Sequence, residues 1–352
     1  MDVADVIYDD FVESLPELTE KVVAITGCTS GTGYWTAVAC IRRGAKALIL
    51  LNRMSERAKK AESSLKDEAA RIGSPTVLQT IACDLMSFES VRNAATEVND
   101  LVDKAEYSGL DVLVNNAGVF LMADDRTEDG YDITMQVNHL SHFLLTKLLL
   151  GSLRKAADVR GEARIVNHSS TARWVGLPLS ESYLSPSEKG ALGGDLTPFR
   201  MNRYHHSKLC NALFTIALHH KFRERGIENV KVLVADPGLA ATHIVDNVGL
   251  STGKLREAYL YFAKHFVPFQ SAADGAVPLM QCSFGEDSKS GSFYAPARLG
   301  MYGEPTLVIQ EGKAVETNPI KGFSERYVLD QNQQKLMWLK SEEAVDEKFF
   351  SD

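Results

Sequence analysis

From residue 21 onward, short apolar runs alternate with longer segments whose apolar positions recur every three or four residues. KVVAIT (21–26), KALILL (46–51), TVLQTIAC (76–83), LDVLVNNAG (110–118), ARIVNHSS (163–170) and VKVLVAD (230–236) read as strands. Between them, YWTAVACIRRGA and the stretches 54–72, 87–105, 130–155 and 204–225 read as helices. Strands that lack hydrophobic/polar alternation are buried on both faces, and the intervening helices make them parallel through right-handed crossovers. The pattern predicts an α/β fold with a single Rossmann-type doubly wound parallel sheet and helices on both faces. It divides into an N-terminal extension (1–19), one domain (20–325) and a helical tail (326–352). Two segments depart from the alternation: a Gly/Pro/Ser-rich insertion at 173–203 and an aromatic stretch within 245–270.

Composition narrows the function classes. With 38 basic against 46 acidic residues and a net charge of −8, the chain lacks the positive face that a nucleic-acid partner needs. Five cysteines, odd in number and without a C-x-x-C pair, suggest neither a disulfide framework nor a zinc site, and a reducing, cytoplasmic setting fits them. The acidic start MDVADVIYDD does not have the order of a secretory or transit leader, and no run reaches the roughly 18 apolar residues of a transmembrane segment.

The turn after the first strand is Gly27-Cys28-Thr29-Ser30-Gly31-Thr32-Gly33. Glycines at these positions allow a tight turn and close backbone approach to a pyrophosphate lying on the start of the next helix. At the end of the second strand, where a carboxylate would bind the ribose of NAD, stands Asn52-Arg53. A guanidinium there suits a 2′-phosphate, so the expected cofactor is NADP(H). Asp84-Leu85, after the third strand, offers a carboxylate either to the adenine amino group or to the cap of the following helix.

The fifth strand ends at Ser169-Ser170, and Tyr204 and Lys208 lie four apart on a predicted helix, hence on one face. An ammonium beside a phenol, helped by an oxidised nicotinamide, favours phenolate, and a shift of three units from the usual value near 10 corresponds to about 4 kcal/mol. Tyr204 would then exchange a proton with a carbonyl or alcohol near neutral pH.

The glycine turn, Asn115-Asn116-Ala117-Gly118, Asn138, Ser170 and Tyr204-x-x-x-Lys208, in this order, resemble the short-chain dehydrogenase/reductase family. The resemblance implies Tyr204 as acid/base, Lys208 as the residue that lowers its pKa and holds the nicotinamide ribose, and Ser170 as the hydroxyl that orients the substrate oxygen. It also implies Asn138 as the holder of a relay water, Asn115, Ala117 and Gly118 as cofactor lining, and Pro237, Gly238 and Thr242 beside the nicotinamide. NHLSHFLLTKLLL (138–150), SKLCNALFT (207–215), SGSFYAP (290–296) and LMWLKSEEAV (336–345) resemble the retinol dehydrogenase branch, whose members act on lipophilic carbonyls or alcohols. Family members are often dimers or tetramers, so a homodimer is an expected assembly.

The expected activity is NADP(H)-dependent hydride transfer to or from a lipophilic carbonyl or alcohol. Two alternatives stand beside it: a carbon–carbon double-bond reductase, as in the related protochlorophyllide reductase branch, and an NADPH-binding regulator without turnover. Tyr259, Tyr261, Phe262, Phe266 and Phe269, with Trp174, are expected to line an apolar substrate lid, with an ordinary core helix or a subunit contact as the other reading. His139 and His142, one turn apart, have a spacing that could bind a metal with further ligands, but no third ligand is evident and no metal site is assigned; for His205-His206 and His219-His220 packing or solvent is the expected role.

Overall fold

The computed structural model describes residues 5–105, 107–175, 177–240, 269–315 and 325–350. Its centre is one nine-stranded sheet in the order β3-β2-β1-β4-β5-β6-β7-β8-β9. The strands are β1 Val22–Thr26, β2 Ala47–Asn52, β3 Val77–Ala82, β4 Val112–Asn115, β5 Ala163–His168, β6 Val230–Ala235, β7 Ser292–Arg298, β8 Tyr302–Gln310 and β9 Lys313–Ala314. Pairing is parallel from β3 through β7, and β8 and β9 complete the edge antiparallel. The sheet is thus the expected doubly wound one, extended by three strands that the 2-and-3.6 pattern had not marked. β7 is the SGSFYAP segment; Pro296 and the charged Arg298 within it hide the strand from a periodicity reading.

Helices cover both faces: α1 Tyr8–Ser14, α2 Gly31–Arg42, α3 Glu56–Ile72, α4 Phe88–Lys104, the single turn α5 Ile133–Met135, α6 Ser141–Arg160, α7 Thr197–Glu224, α8 Val277–Phe284, the short α9 Glu325–Val328 and α10 Gln331–Val345. Local chemistry sets their ends. Ser55 caps α3 by accepting from the Ala58 amide at 3.2 Å, Ser87 caps α4 by accepting from Ser90 at 3.2 Å, and Gly73 closes α3 in the left-handed region at φ 68°. β1 and β4, although separated by β2 and β3 in sequence, are neighbours. Chain order reverses between them, and loops on either side of such a switch diverge to leave a crevice at the strand C-termini.

The flanking segments are packed on the domain. Asp274 accepts from the Val6, Ile7 and Tyr8 amides, so a side chain 266 residues away caps α1. At the other end, Trp338 and Phe349 pack on Phe143 of α6 with ring centroids 5.4 and 5.1 Å apart.

Candidate active site

The crevice at the switch point is a cavity of about 680 Å³ that runs from Arg53 and Arg57, past Gly27, Thr29, Ser30, Gly31 and Thr32, to Ser170, Tyr204 and Lys208. Pro237, Gly238 and Ala240 line one wall, with Asn116, Ala117 and Gly118 on the other.

The glycine turn is built by close approach. Gly27 and Gly31 have φ of 73° and 63°, which suits glycine. A Cβ on Gly33 would stand 2.3 Å from Asn116 Nδ2 and 2.6 Å from the Gly27 carbonyl oxygen. Asn116 is the clamp here: its amide donates to the Thr26 and Gly27 carbonyls at 2.9 and 3.2 Å, and its oxygen accepts from Thr32 at 2.8 Å. Ser30 caps α2 without a side-chain bond to the helix, so the first amides of a twelve-residue helix face the cavity without a side-chain cap. Its hydroxyl instead accepts from the Arg57 guanidinium. These donors, the positive helix start and the length of the cavity fit a dinucleotide phosphate cradle.

Asn115, Asp84 and Leu85, expected as cofactor residues, are not among those lining the cavity. Asn115 is 1% exposed and donates its amide into the sheet, to Thr146 and Asn167, each at 2.9 Å. Successive strand residues point to opposite sides, which is why Asn116 and not Asn115 reaches the turn. Asp84 accepts from the Met86 amide at 3.0 Å in a local turn, and Leu85 is buried with its carbonyl bonded by Ser141. Asn52 acts indirectly, accepting from the Cys28 amide at 2.9 Å and so fixing the turn to β2. Thr242, Tyr259, Tyr261, Phe262 and Phe266 lie outside the described residues, as does the side chain of Trp174. Phe269 lines the cavity, as do Phe120, which packs on Tyr204, and Met201, Leu239 and Met301.

Tyr204 sits in the second turn of α7, which begins at Thr197 with Pro198 in its first turn rather than at the tyrosine itself. The C-terminal part of the insertion is therefore helix. Tyr204 and Ser170 line the same cavity, and Phe120 packs edge-on against the tyrosine ring at 4.6 Å. Lys208 Nζ lies 5.8 Å from the Tyr204 ring centroid and donates to the His168 carbonyl at 3.0 Å. Asn138 lies in a π-helical turn, Gln136–Leu140, of the kind that often marks functional sites. Its amide bonds Ser207 Oγ at 2.9 Å and the Val119 carbonyl at 3.0 Å, while its oxygen accepts from the Val119 amide at 2.7 Å. Gly118 lies between the two: a Cβ there would be 3.2 Å from Asn138 Oδ1 and 3.4 Å from Lys208 Nζ.

Burial pushes the Tyr204 phenol up to about 12; Ser170 lowers it and the Asp236 charge raises it further. Lys208 is itself pulled down to about 8 by burial, with Asp236 opposing. Desolvation is the largest influence on the phenol among the protein's own groups.

Four of the described histidines are held by packing and hydrogen bonds. His139 bonds Asn211 and Ser341, His142 bonds Thr26, His205 meets the Ala172 and Leu177 carbonyls, and His206 stacks on Tyr183 with centroids 4.0 Å apart. Cys28 and Cys210, near the turn and the tyrosine helix, are buried with thiols held well above their usual range by that burial.

Sheet order, phosphate cradle and a Ser-Tyr-Lys set in one crevice define a nicotinamide-dependent oxidoreductase of the Rossmann type. The short chain dehydrogenase family model matches residues 21–194. Bovine retinol dehydrogenase 12 is 32% identical over 80% of this chain and 79% of its own length. Zebrafish polyprenol dehydrogenase is 30% identical over 93% of this chain and 87% of its own. Among solved structures, an uncharacterized protein from Mycobacterium paratuberculosis superposes over 97% of this chain and 98% of its own with a TM-score of 0.68 at 26% identity. The chain belongs to the short-chain dehydrogenase family, on its retinol dehydrogenase-like side, and is an oxidoreductase acting on CH-OH or C=O groups.

Proposed function

We propose that this enzyme uses NADP(H) and moves hydride to or from the carbonyl or alcohol carbon of a lipophilic small molecule, with Tyr204 as its acid/base. The observation that carries the reading is that Ser170, Tyr204 and Lys208, the last one helical turn on from the tyrosine, line the same cavity as the glycine turn. A nicotinamide dinucleotide, when bound, supplies the hydride or accepts it, and its oxidised ring carries positive charge. The chain's own residues do the remainder. Thr29 to Thr32 hold the phosphates; Ser170 donates a hydrogen bond to the substrate oxygen; Tyr204 Oη gives its proton to that oxygen in reduction and takes it in oxidation. Lys208 holds the ribose and supplies charge next to the phenol, and Asn138 keeps Val119 and Ser207 in register beside them.

NADP(H) over NAD(H) is supported by two guanidiniums, Arg53 and Arg57, at the end of the cavity next to the glycine turn, where a ribose carboxylate is missing. Lipophilic substrates are supported by Phe120, Met201, Leu239, Phe269 and Met301 in the cavity lining, and by the names of the retinol and polyprenol relatives. Among the described residues no helix is long and apolar enough to cross a membrane. The five unpaired thiols support a reducing, cytoplasmic setting, and homodimer formation belongs to the same proposal, measurable by sedimentation velocity.

Initial rates with NADPH and NADH against benzaldehyde, decanal, farnesal and trans-2-decenal, for the wild type and Tyr204→Phe, test the reading. Expected are faster turnover of the longer aldehydes, allylic alcohol as the product of decenal, and loss of at least about a hundredfold in Tyr204→Phe. Saturated decanal as the product would replace carbonyl chemistry by double-bond reduction; no turnover despite NADPH binding would leave a binding protein.

A further inference from the structure

Arg173 has no part in the scheme above, yet it is 1% exposed and points beneath the reacting groups. Its guanidinium donates to the carbonyl of Ser170 at 2.9 Å and to the carboxylate of Asp236, lies 3.8 Å from Glu325 Oε1, and covers the Phe293 ring of β7 with its centre 4.3 Å from the centroid. Asp236 is 0% exposed and joins the same structure from the other side: one carboxylate oxygen accepts from the Gly238 amide at 2.9 Å. One ion pair therefore ties together the serine loop, the Pro237-Gly238 wall and the C-terminal segment at α9.

Stability alone is a poor reason for such a pair. Desolvating both charges costs as much as their attraction returns, and apolar residues of similar volume often hold a core equally well. The position of the pair gives a better reason. Asp236 acts electrostatically on both Tyr204 and Lys208. A bare buried carboxylate at that position would disfavour the phenolate, which alcohol oxidation requires.

We propose that Arg173 is a positioning residue: it neutralises Asp236 beneath the Ser170–Tyr204 pair and holds the Ser170 loop against the Pro237-Gly238 wall. The inference rests on Tyr204 acting as the acid/base. The charged and titratable groups around that phenol are Lys208 and His205 on α7, His168 at the end of β5, His142 on α6 near Lys208, Asp236 after β6, Arg173, and Glu325 on the far side of Arg173. Among these, Arg173 and Asp236 form an opposed pair whose removal one at a time changes the local charge in opposite senses.

That opposition provides the test. The full chain is assayed with 1-decanol, benzyl alcohol and farnesol plus NADP⁺, and kcat is followed between about pH 6 and pH 10, where the rising limb reports phenol ionisation. Arg173→Met is expected to move the limb up by about one pH unit and to lower kcat near pH 7 by ~tenfold, with the KM for NADP⁺ changed less than about threefold. Asp236→Asn is expected to move the limb down. The double variant returns it to within a few tenths of a unit of wild type, and Arg173→Lys keeps it in place. Limbs that stay put in both single variants, or that move the same way, overturn the proposal. If Arg173→Met does not fold, by circular dichroism and melting, Asp236→Asn and the charge-balanced double variant still decide it by the same criteria. Tyr204→Phe runs alongside: if it oxidises the alcohols as fast as wild type, or if wild type oxidises none of them, the functional reading fails and the inference falls with it. An inactive Tyr204→Phe with an unmoved Arg173→Met limb removes the inference alone.

Discussion

Lys208 Nζ and Asn211 Nδ2 share one acceptor, the carbonyl oxygen of His168, at 3.0 and 2.9 Å. The ammonium is therefore not needed to satisfy that carbonyl, and its burial is a cost the fold bears for the site.

Lys208→Met should accordingly abolish turnover while stabilising the unliganded protein. Burial holds the ammonium at about 8, below its ordinary 10.5. The unfolded chain binds that proton more tightly, so the penalty is complete below about pH 8 and fades as pH rises toward 10.5. Urea unfolding at pH 7 should show a gain of roughly 1–3 kcal/mol for the variant, shrinking at pH 10. A loss at pH 7 would show that the ammonium contributes more through its contacts than it costs.

Asn138→Ala should damage both fold and activity. It removes the partners of the Val119 amide and carbonyl and of Ser207, groups with little access to water. The cost expected in the urea midpoint corresponds to about 2–4 kcal/mol, with kcat falling more than the KM for NADPH rises.

Gly33→Ala tests the clamp between the glycine turn and β4. A methyl 2.3 Å from Asn116 Nδ2 and 2.6 Å from a backbone oxygen must displace one of them. NADPH fluorescence titration should show at least a ~tenfold weaker Kd, since the amides of the turn no longer converge on the phosphates.

Arg53→Ala and Arg57→Ala should each weaken NADPH more than NADH. The double variant should bring the NADPH/NADH ratio of kcat/KM down by about a hundredfold, most of it through KM. An unchanged ratio would place the 2′-phosphate elsewhere.

Acid should unfold this protein well above the carboxylate range. Burial holds His139, His142 and His168 at about 3, 4 and 3, while in the unfolded chain they titrate near 6.5. Their neutral burial is stabilising in full above about pH 6.5 and is lost progressively as pH falls, by about 2 kcal/mol each at pH 5. His139→Asn should be less stable at pH 7, yet its drop between pH 7 and pH 5 should be smaller by about that amount; an equal drop would exclude His139 as a source.

The alternation of apolar runs and amphipathic segments determined the doubly wound sheet, because buried parallel strands and covering helices each impose a period that any short window displays. Glycine spacing, Ser170 and the Tyr204–Lys208 interval were equally readable, since a turn and a helix face are local. What packing across the sheet decided was different in kind. Asn115 and Asn116 are alike in sequence, and only the strand's pleat sends one into the core and the other to the glycine turn. Arg57 reaches Ser30 across 27 residues, and Arg173 reaches Asp236 across 63, distances over which no periodicity carries information. The burial that pushes the Tyr204 phenol up belongs to the same category, because it is a property of the whole assembled cavity.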